Sequence, residues 1–126
     1  MTFVEGLPIP QGSMRAFNNR IIHQKSKDLK AWRDRVAEVC SKSMECVDKE
    51  TPVFLRMSFV LPRPKSVKRR YITVRPDLDK LARAVNDALT GIAFVDDSQV
   101  VLLSCSKRYS DSDVDKPGVY IHVMTL

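Results

Sequence analysis

Leu78, Leu81, Ala82, Val85, Ala88 and Leu89 fall at i, i+3, i+4, i+7, i+10 and i+11, the spacing of one apolar face on an α-helix. Pro76 precedes this stripe, aspartates stand ready to cap it, and Gly91 is placed for the left-handed C′ position. The pattern predicts a helix from Asp79 to Thr90. Such a helix must lay its apolar side on another layer. Residues 52–61 (PVFLRMSFVL) supply one: Val53, Leu55, Met57, Phe59 and Leu61 alternate with Phe54, Arg56, Ser58 and Val60. That is strand spacing with an apolar inner face.

The remaining elements follow by the same reasoning. Residues 1–6 (MTFVEG) read as a short strand, and Pro8 to Gln24 as irregular chain. Leu29, Trp32, Val36, Cys40, Met44 and Val47 recur at three- and four-residue steps, predicting a helix from Ser26, as N-cap, to Val47. Tyr71 to Val74 could form a short strand. Gln99 to Lys107 and Val119 to Leu126 read as strands joined by the turn-rich Tyr109–Gly118, which suggests an antiparallel hairpin. The expectation is an α+β fold, a small mixed or antiparallel sheet packed with two main helices, in one domain over residues 1–126.

Cys40, Cys46 and Cys105 are an odd number without C-x-x-C spacing. This argues against zinc and a disulfide framework, and for reduced thiols in a cytoplasmic setting. No run of 18 apolar residues suggests membrane insertion.

Charge is unevenly spread. The chain holds 21 Lys and Arg against 15 Asp and Glu, a formal net charge of +6. Such an excess suits a polyanion or merely a solvated surface. Between Pro62 and Arg75 stand Arg63, Lys65, Lys68, Arg69, Arg70 and Arg75 with no acidic residue. Acidic residues instead cluster at Asp77 and Asp79, at the mouth of the second helix, and at Asp96 and Asp97 in the turn after it.

Carboxylates from two segments could hold Mg²⁺, with a phosphodiester supplying further oxygens. The plainer reading is a helix cap and an Asp-Asp-Ser turn. Asp77 and Asp79 cannot both be the cap, however. For the two pairs to converge, Gly91 to Val95 must run back along a helix about 18 Å long. Asp79, Arg83 and Asp87 lie at successive i+4 steps, which favours a surface ion-pair ladder. The alternative is Arg83 leaning toward the acidic cluster to stabilise charge on a cleaved phosphate.

The run R-P-D-L-D-K-L-A-R-A-V-N-D-A-L-T-G-I-A-F-V-D-D-S-Q-V-V, Arg75 to Val101, resembles the signature of RusA-type Holliday junction resolvases: K/R-P-D-x-D-N-L-x-K-x-x-x-D-A-L-x-G, a short apolar segment, then D-D-x-Q-V/I. The resemblance implies a mixed α/β homodimer that cuts branched DNA at four-way junctions, using Mg²⁺ with Mn²⁺ as a substitute and leaving 3′-hydroxyl and 5′-phosphate ends. It implies that Asp77, Asp79 and Asp97 are the catalytic carboxylates that hold the metal, with Asp96 assisting or only shaping the turn. Arg83 falls where the family usually has a catalytic lysine and takes the transition-state-stabilising role. That exchange preserves charge but not geometry or proton-transfer ability. Lys80 stands where the family usually has Asn, and could meet a phosphate.

On this reading Arg63, Lys65, Lys68, Arg69, Arg70 and Arg75, together with Arg15 and Arg20, hold junction arms through phosphates without reading sequence. The competing reading of the basic loop is a solvated flexible tether. Another possibility for the whole chain is a DNA-binding protein that keeps the fold without activity. An RNA-binding domain lacks support, since the aromatic residues sit mostly at core spacings. His23 and His122 have no companion at ligand spacing and read as structural.

Overall fold

The computed structural model describes the backbone of residues 1–12 and 19–126, and the side chains of 1–12 and 25–126. The elements are β1 (Thr2–Glu5), α1 (Asn19–Ser41), β2 (Val53–Leu61), α2 (Leu78–Leu89), β3 (Val100–Tyr109) and β4 (Gly118–Thr125). A single 3₁₀ turn, Asp97–Gln99, leads into β3. The four strands form one mixed sheet in the order β1-β4-β2-β3, and with the two helices they give the α+β arrangement expected.

β2 organises the sheet. It pairs parallel with β3 and antiparallel with β4, and β4 pairs antiparallel with β1. The expected hairpin between the last two strands is therefore not formed: β2 lies between them. A hairpin needs only local turn chemistry, but β2 offers two free edges and an apolar inner face, and it claims both strands. Val53, Leu55, Met57, Phe59 and Leu61 are all buried, as their alternation required. Val60 is buried as well, from the opposite face.

Against this sheet α2 buries Leu81, Ala82, Ala84, Val85, Ala88 and Leu89, and α1 buries Trp32, Val36 and Cys40. Burial pushes the Cys40 thiol up to about 11, so it is a small core side chain and not a nucleophile. α1 begins seven residues earlier than expected, so Ser26 is inside the helix and not its cap. It also ends earlier, at Ser41. The amides of Ser43 and Met44 fold back onto the Cys40 carbonyl, and the Val47 amide bonds to Ala93 O at 3.0 Å. Met44 and Val47 thus reach the core from irregular chain. The suggested strand at Tyr71–Val74 is also absent, and only Ile72 of that stretch is buried.

Two glycines are dictated by geometry. Gly91 takes φ +86° just past α2, the left-handed region that suits glycine. At Gly118 a Cβ would lie 2.2 Å from the Val4 carbonyl oxygen, so the β1–β4 pairing closes only without a side chain there.

Phe59 fills the inner face of β2, the strand that pairs with both β3 and β4. Phe59→Ala is expected to lower the unfolding free energy in urea by about 3–5 kcal/mol. Val114→Ala, at a site 88% exposed, should stay within about 0.5 kcal/mol of the parent.

Candidate active site

The mouth of α2 presents two carboxylates that local structure does not use up. Asp77 occupies the N-cap position with extended backbone (φ −69°, ψ 135°), yet its side chain makes no capping hydrogen bond. Asp79 lies in the first turn and is exposed. Both gain from the positive end of the helix dipole. Lys80 Nζ lies 3.4 Å from Asp77 Oδ2, a half-exposed pair worth at most about 1 kcal/mol. The ion-pair ladder expected along the helix is not built. Arg83 makes no salt bridge with Asp79 or Asp87, and its guanidinium stands exposed one turn beyond Asp79.

At the other end of α2 the chain turns tightly. The Gly91 amide bonds to Phe94 O at 2.7 Å, and the amides of Ile92 and Ala93 bond to Leu89 O at 2.9 Å. Ala93 and Phe94 are fully buried. Gly91 to Val95 therefore does not run back along the helix as convergence within one chain would require. The return is made by β3, whose Leu103 and Cys105 line an open groove of about 510 Å³ with Leu78, Asp79, Ala82, Arg83 and Asn86. The Asn86 side-chain oxygen is buried without a hydrogen-bond partner.

The two aspartates of the turn have separate roles. Asp96 caps the 3₁₀ turn, accepting from Ser98 N at 3.1 Å, and that bond is the main reason its carboxyl is held below the usual range. Asp97 is pushed the other way, first by its hydrogen bond with Asp96, then by desolvation and the charges of Asp96 and Asp87. Asp97 thus faces Asp96 and Asp87. The donor chemistry is that of a hard cation such as Mg²⁺, for which one or two carboxylates plus waters and phosphate oxygens suffice. Among the described residues no group of three or more His, Cys, Asp or Glu is gathered closely enough to hold a metal ion.

Gln99 fixes this turn. It is buried (7% exposed), its Oε1 accepts from the amides of Val95 and Asp96 at 2.8 and 3.0 Å, and its Nε2 donates to the carbonyls of Asp48 and Thr51 at 2.7 and 3.0 Å. Within the run D-D-S-Q, Gln99 carries a role that the sequence pattern alone does not assign. The signal was its position three residues after a cap, the spacing of a capping box.

The basic loop is tied down and not a free tether. The Arg63 guanidinium stacks 4.4 Å over the buried Tyr109 ring, with Arg69 at 5.9 Å on the same ring. Arg63 Nη1 also donates to Arg69 O at 2.9 Å. Arg70 lies 5.3 Å from the Tyr71 ring. Lys65, Lys68 and Arg75 are exposed. Arg15 lies outside the described residues. Arg20 and His23 fall within α1, but their side chains are outside the described set. His122 lies in β4 opposite Arg56.

Comparison with known proteins places this chain in a class of DNA-cutting enzymes. The profile of the family "Endodeoxyribonuclease RusA" matches residues 5–124, and the chain belongs to that family. Two relatives make the likeness specific. It is 35% identical over 102 residues to the Crossover junction endodeoxyribonuclease RusA of Escherichia coli, covering 79% of this chain and 78% of that one. It is 32% identical over 122 residues to the Uncharacterized protein YqaN of Bacillus subtilis, covering 86% of each.

The carboxyl pair gives a titration that can be read directly. Asp96→Asn removes the negative neighbour that raises Asp97, so the Asp97 carboxyl should ionise at lower pH than in the parent. Carbon-detected NMR of the side-chain carboxyls measures this, and an unmoved Asp97 midpoint would contradict the pairing.

Proposed function

We propose that this chain is a Holliday junction resolvase: a divalent-metal-dependent endonuclease that acts as a homodimer and nicks two symmetry-related strands of a four-way DNA junction. The observation that carries this reading is the pair Asp77 and Asp79, two carboxylates at a helix mouth with neither a capping bond nor an ion-pair ladder with Arg83 to account for them. Membership of the RusA family supports it.

Asp77, Asp79 and Asp97 are the residues that would hold Mg²⁺, or Mn²⁺ in its place, with Asp96 keeping Asp97 in position. When bound, such an ion polarises the phosphoryl oxygen and supplies a water activated for attack, leaving 3′-hydroxyl and 5′-phosphate ends. Arg83, free of Asp79, stabilises charge gathering on the phosphate. Arg63 and Arg69, held on Tyr109, join Arg15, Arg20, Lys65, Lys68, Arg70, Arg75 and Lys80 in gripping the backbone of the junction arms. Contacts of that kind orient DNA without reading its sequence.

Dimerisation through β3 accounts for two features of the chain. β3 is an edge strand, and Val101, Leu102 and Leu103 are 57%, 50% and 53% exposed. From Val100 to Ser106 it has no charge and no proline, the protections that lone proteins put on an edge. Antiparallel pairing of β3 with a second copy satisfies that edge around a two-fold axis. It also sets the Asp97 end of one strand beside the Lys107 end of the other, near the α2 mouth that carries Asp77 and Asp79. Two symmetric sites then suit a junction with two equivalent strands.

Two measurements test the proposal. Purified protein should nick a synthetic four-way junction with Mg²⁺ and not with chelator, and Asp79→Asn should reduce nicking to background while still shifting the junction on a gel. Junction binding with no nicking in either Mg²⁺ or Mn²⁺ would make it a DNA-binding protein instead. Separately, the double variant Leu102→Glu/Leu103→Glu should convert a dimer into a monomer by light scattering. A parent protein that is already monomeric at micromolar concentration would rule out the β3 interface.

A further inference from the structure

The bend that delivers Asp77 and Asp79 has little of its own to hold it. Tyr71, Thr73, Val74 and Arg75 are exposed, and only Ile72 is buried. Outside helices and strands, no backbone–backbone hydrogen bond starts or ends between residues 68 and 76 among the described residues. What grips the bend is Lys107. From near the end of β3, its ammonium donates to Val74 O at 3.0 Å and to Pro76 O at 2.7 Å. These are charge-assisted bonds, stronger than neutral ones. An ammonium offers three donors and no acceptor, which suits it to gathering carbonyls. The ordinary role of a lysine on an edge strand is to stand in solvent and block pairing. Here the side chain is half-buried and turned onto the backbone of the neighbouring bend.

We propose that Lys107 is a positioning residue for the candidate active site: by gripping the carbonyls of Val74 and Pro76 it makes β3 a strut that fixes the Asp77–Asp79 segment at one end of the strand relative to the Asp96–Asp97 turn at the other. β3 continues directly from that turn, which Gln99 anchors to the carbonyls of Asp48 and Thr51. One strand therefore holds both acidic segments, the first through the chain itself and the second through Lys107. Lys107 lines up with Phe59 of β2 in the parallel pairing, so the strut is braced by the most buried strand. As far as catalysis is concerned, this inference rests on the nuclease reading above. The grip itself does not.

The test compares Lys107→Met, which keeps a long apolar stem, and Lys107→Arg, which keeps the charge and donors, with the parent and Asp79→Asn. Amide hydrogen exchange is followed across the chain, with junction binding in chelator and single-turnover nicking as a function of Mg²⁺. In Lys107→Met, exchange should rise over residues 73–79 while β2 and α2 keep their protection. Its nicking rate should fall roughly 10- to 100-fold, the range for losing a group that orients metal-binding side chains, with the Mg²⁺ requirement shifted upward and junction affinity unchanged. Lys107→Arg should recover part of both. Exchange and nicking that match the parent overturn the proposal, as does a uniform rise in exchange over all elements, which would mean a purely global stability role. If the parent nicks nothing but exchange still rises over 73–79, the grip stands and the nuclease reading is what has failed.

Discussion

The parallel pairing of β2 with β3 is the constraint from which the rest of the arrangement follows. Two parallel neighbours cannot be joined by a hairpin; the chain must travel back to its starting end before the second strand begins. In this chain α2 makes that journey. Its mouth therefore lies at the finishing end of β2, and its last turn lies where β3 starts. Asp77 and Asp79 stand at the first place, Asp96 and Asp97 at the second. The crossover sets the two acidic segments apart, and ligand sites in open α/β arrangements favour the finishing ends of parallel strands. That is where Asp77, Asp79 and the basic loop meet.

Much of this was readable from residues, and what was missed shares one cause. The alternation of Val53 to Leu61 and the stripe from Leu78 to Leu89 depend on local periodicity, and both elements form where the spacing placed them. Strand partners are another matter. β3 and β4 look like a hairpin because the turn-rich stretch between them is local, but β2 is nearly 60 residues from the start of β4 and nothing in β4 announces it. The i+4 spacing of Asp79, Arg83 and Asp87 likewise made a ladder plausible, yet spacing cannot show whether a long side chain prefers its neighbour to solvent. Sequence could not reveal that Asp77 would leave its capping bond unmade, nor that Lys107 would bond to carbonyls some 30 residues earlier. Those depend on where β3 lies in space.

Charge is divided among the residues with some economy. Of the four aspartates, Asp96 commits its carboxylate to the turn by accepting from Ser98 N, and this leaves Asp97 with a raised affinity for protons. Its hydrogen bond with Asp96 and the nearby charge of Asp87 are what raise it. Asp77 has Lys80 beside it, but the contact is long and half-exposed, so it screens the charge without locking it. On the basic side, Arg63 and Arg69 converge on Tyr109. Stacking on an aromatic face keeps a guanidinium oriented.

The separation imposed by the crossover and the bareness of β3 bear on each other. A single chain gathers no three-ligand cluster among the described residues, and the strand that runs between its acidic segments is the one whose edge and apolar side chains are uncovered. An antiparallel two-fold pairing of that strand, as proposed above, would exchange its ends and so turn a separation within one chain into proximity between two. About 33 Å of strand, at roughly 3.3 Å per residue over ten residues, is long enough for the exchange to span the length of α2. The same pairing would satisfy the unpaired backbone groups of an edge that carries no charge from Val100 to Ser106.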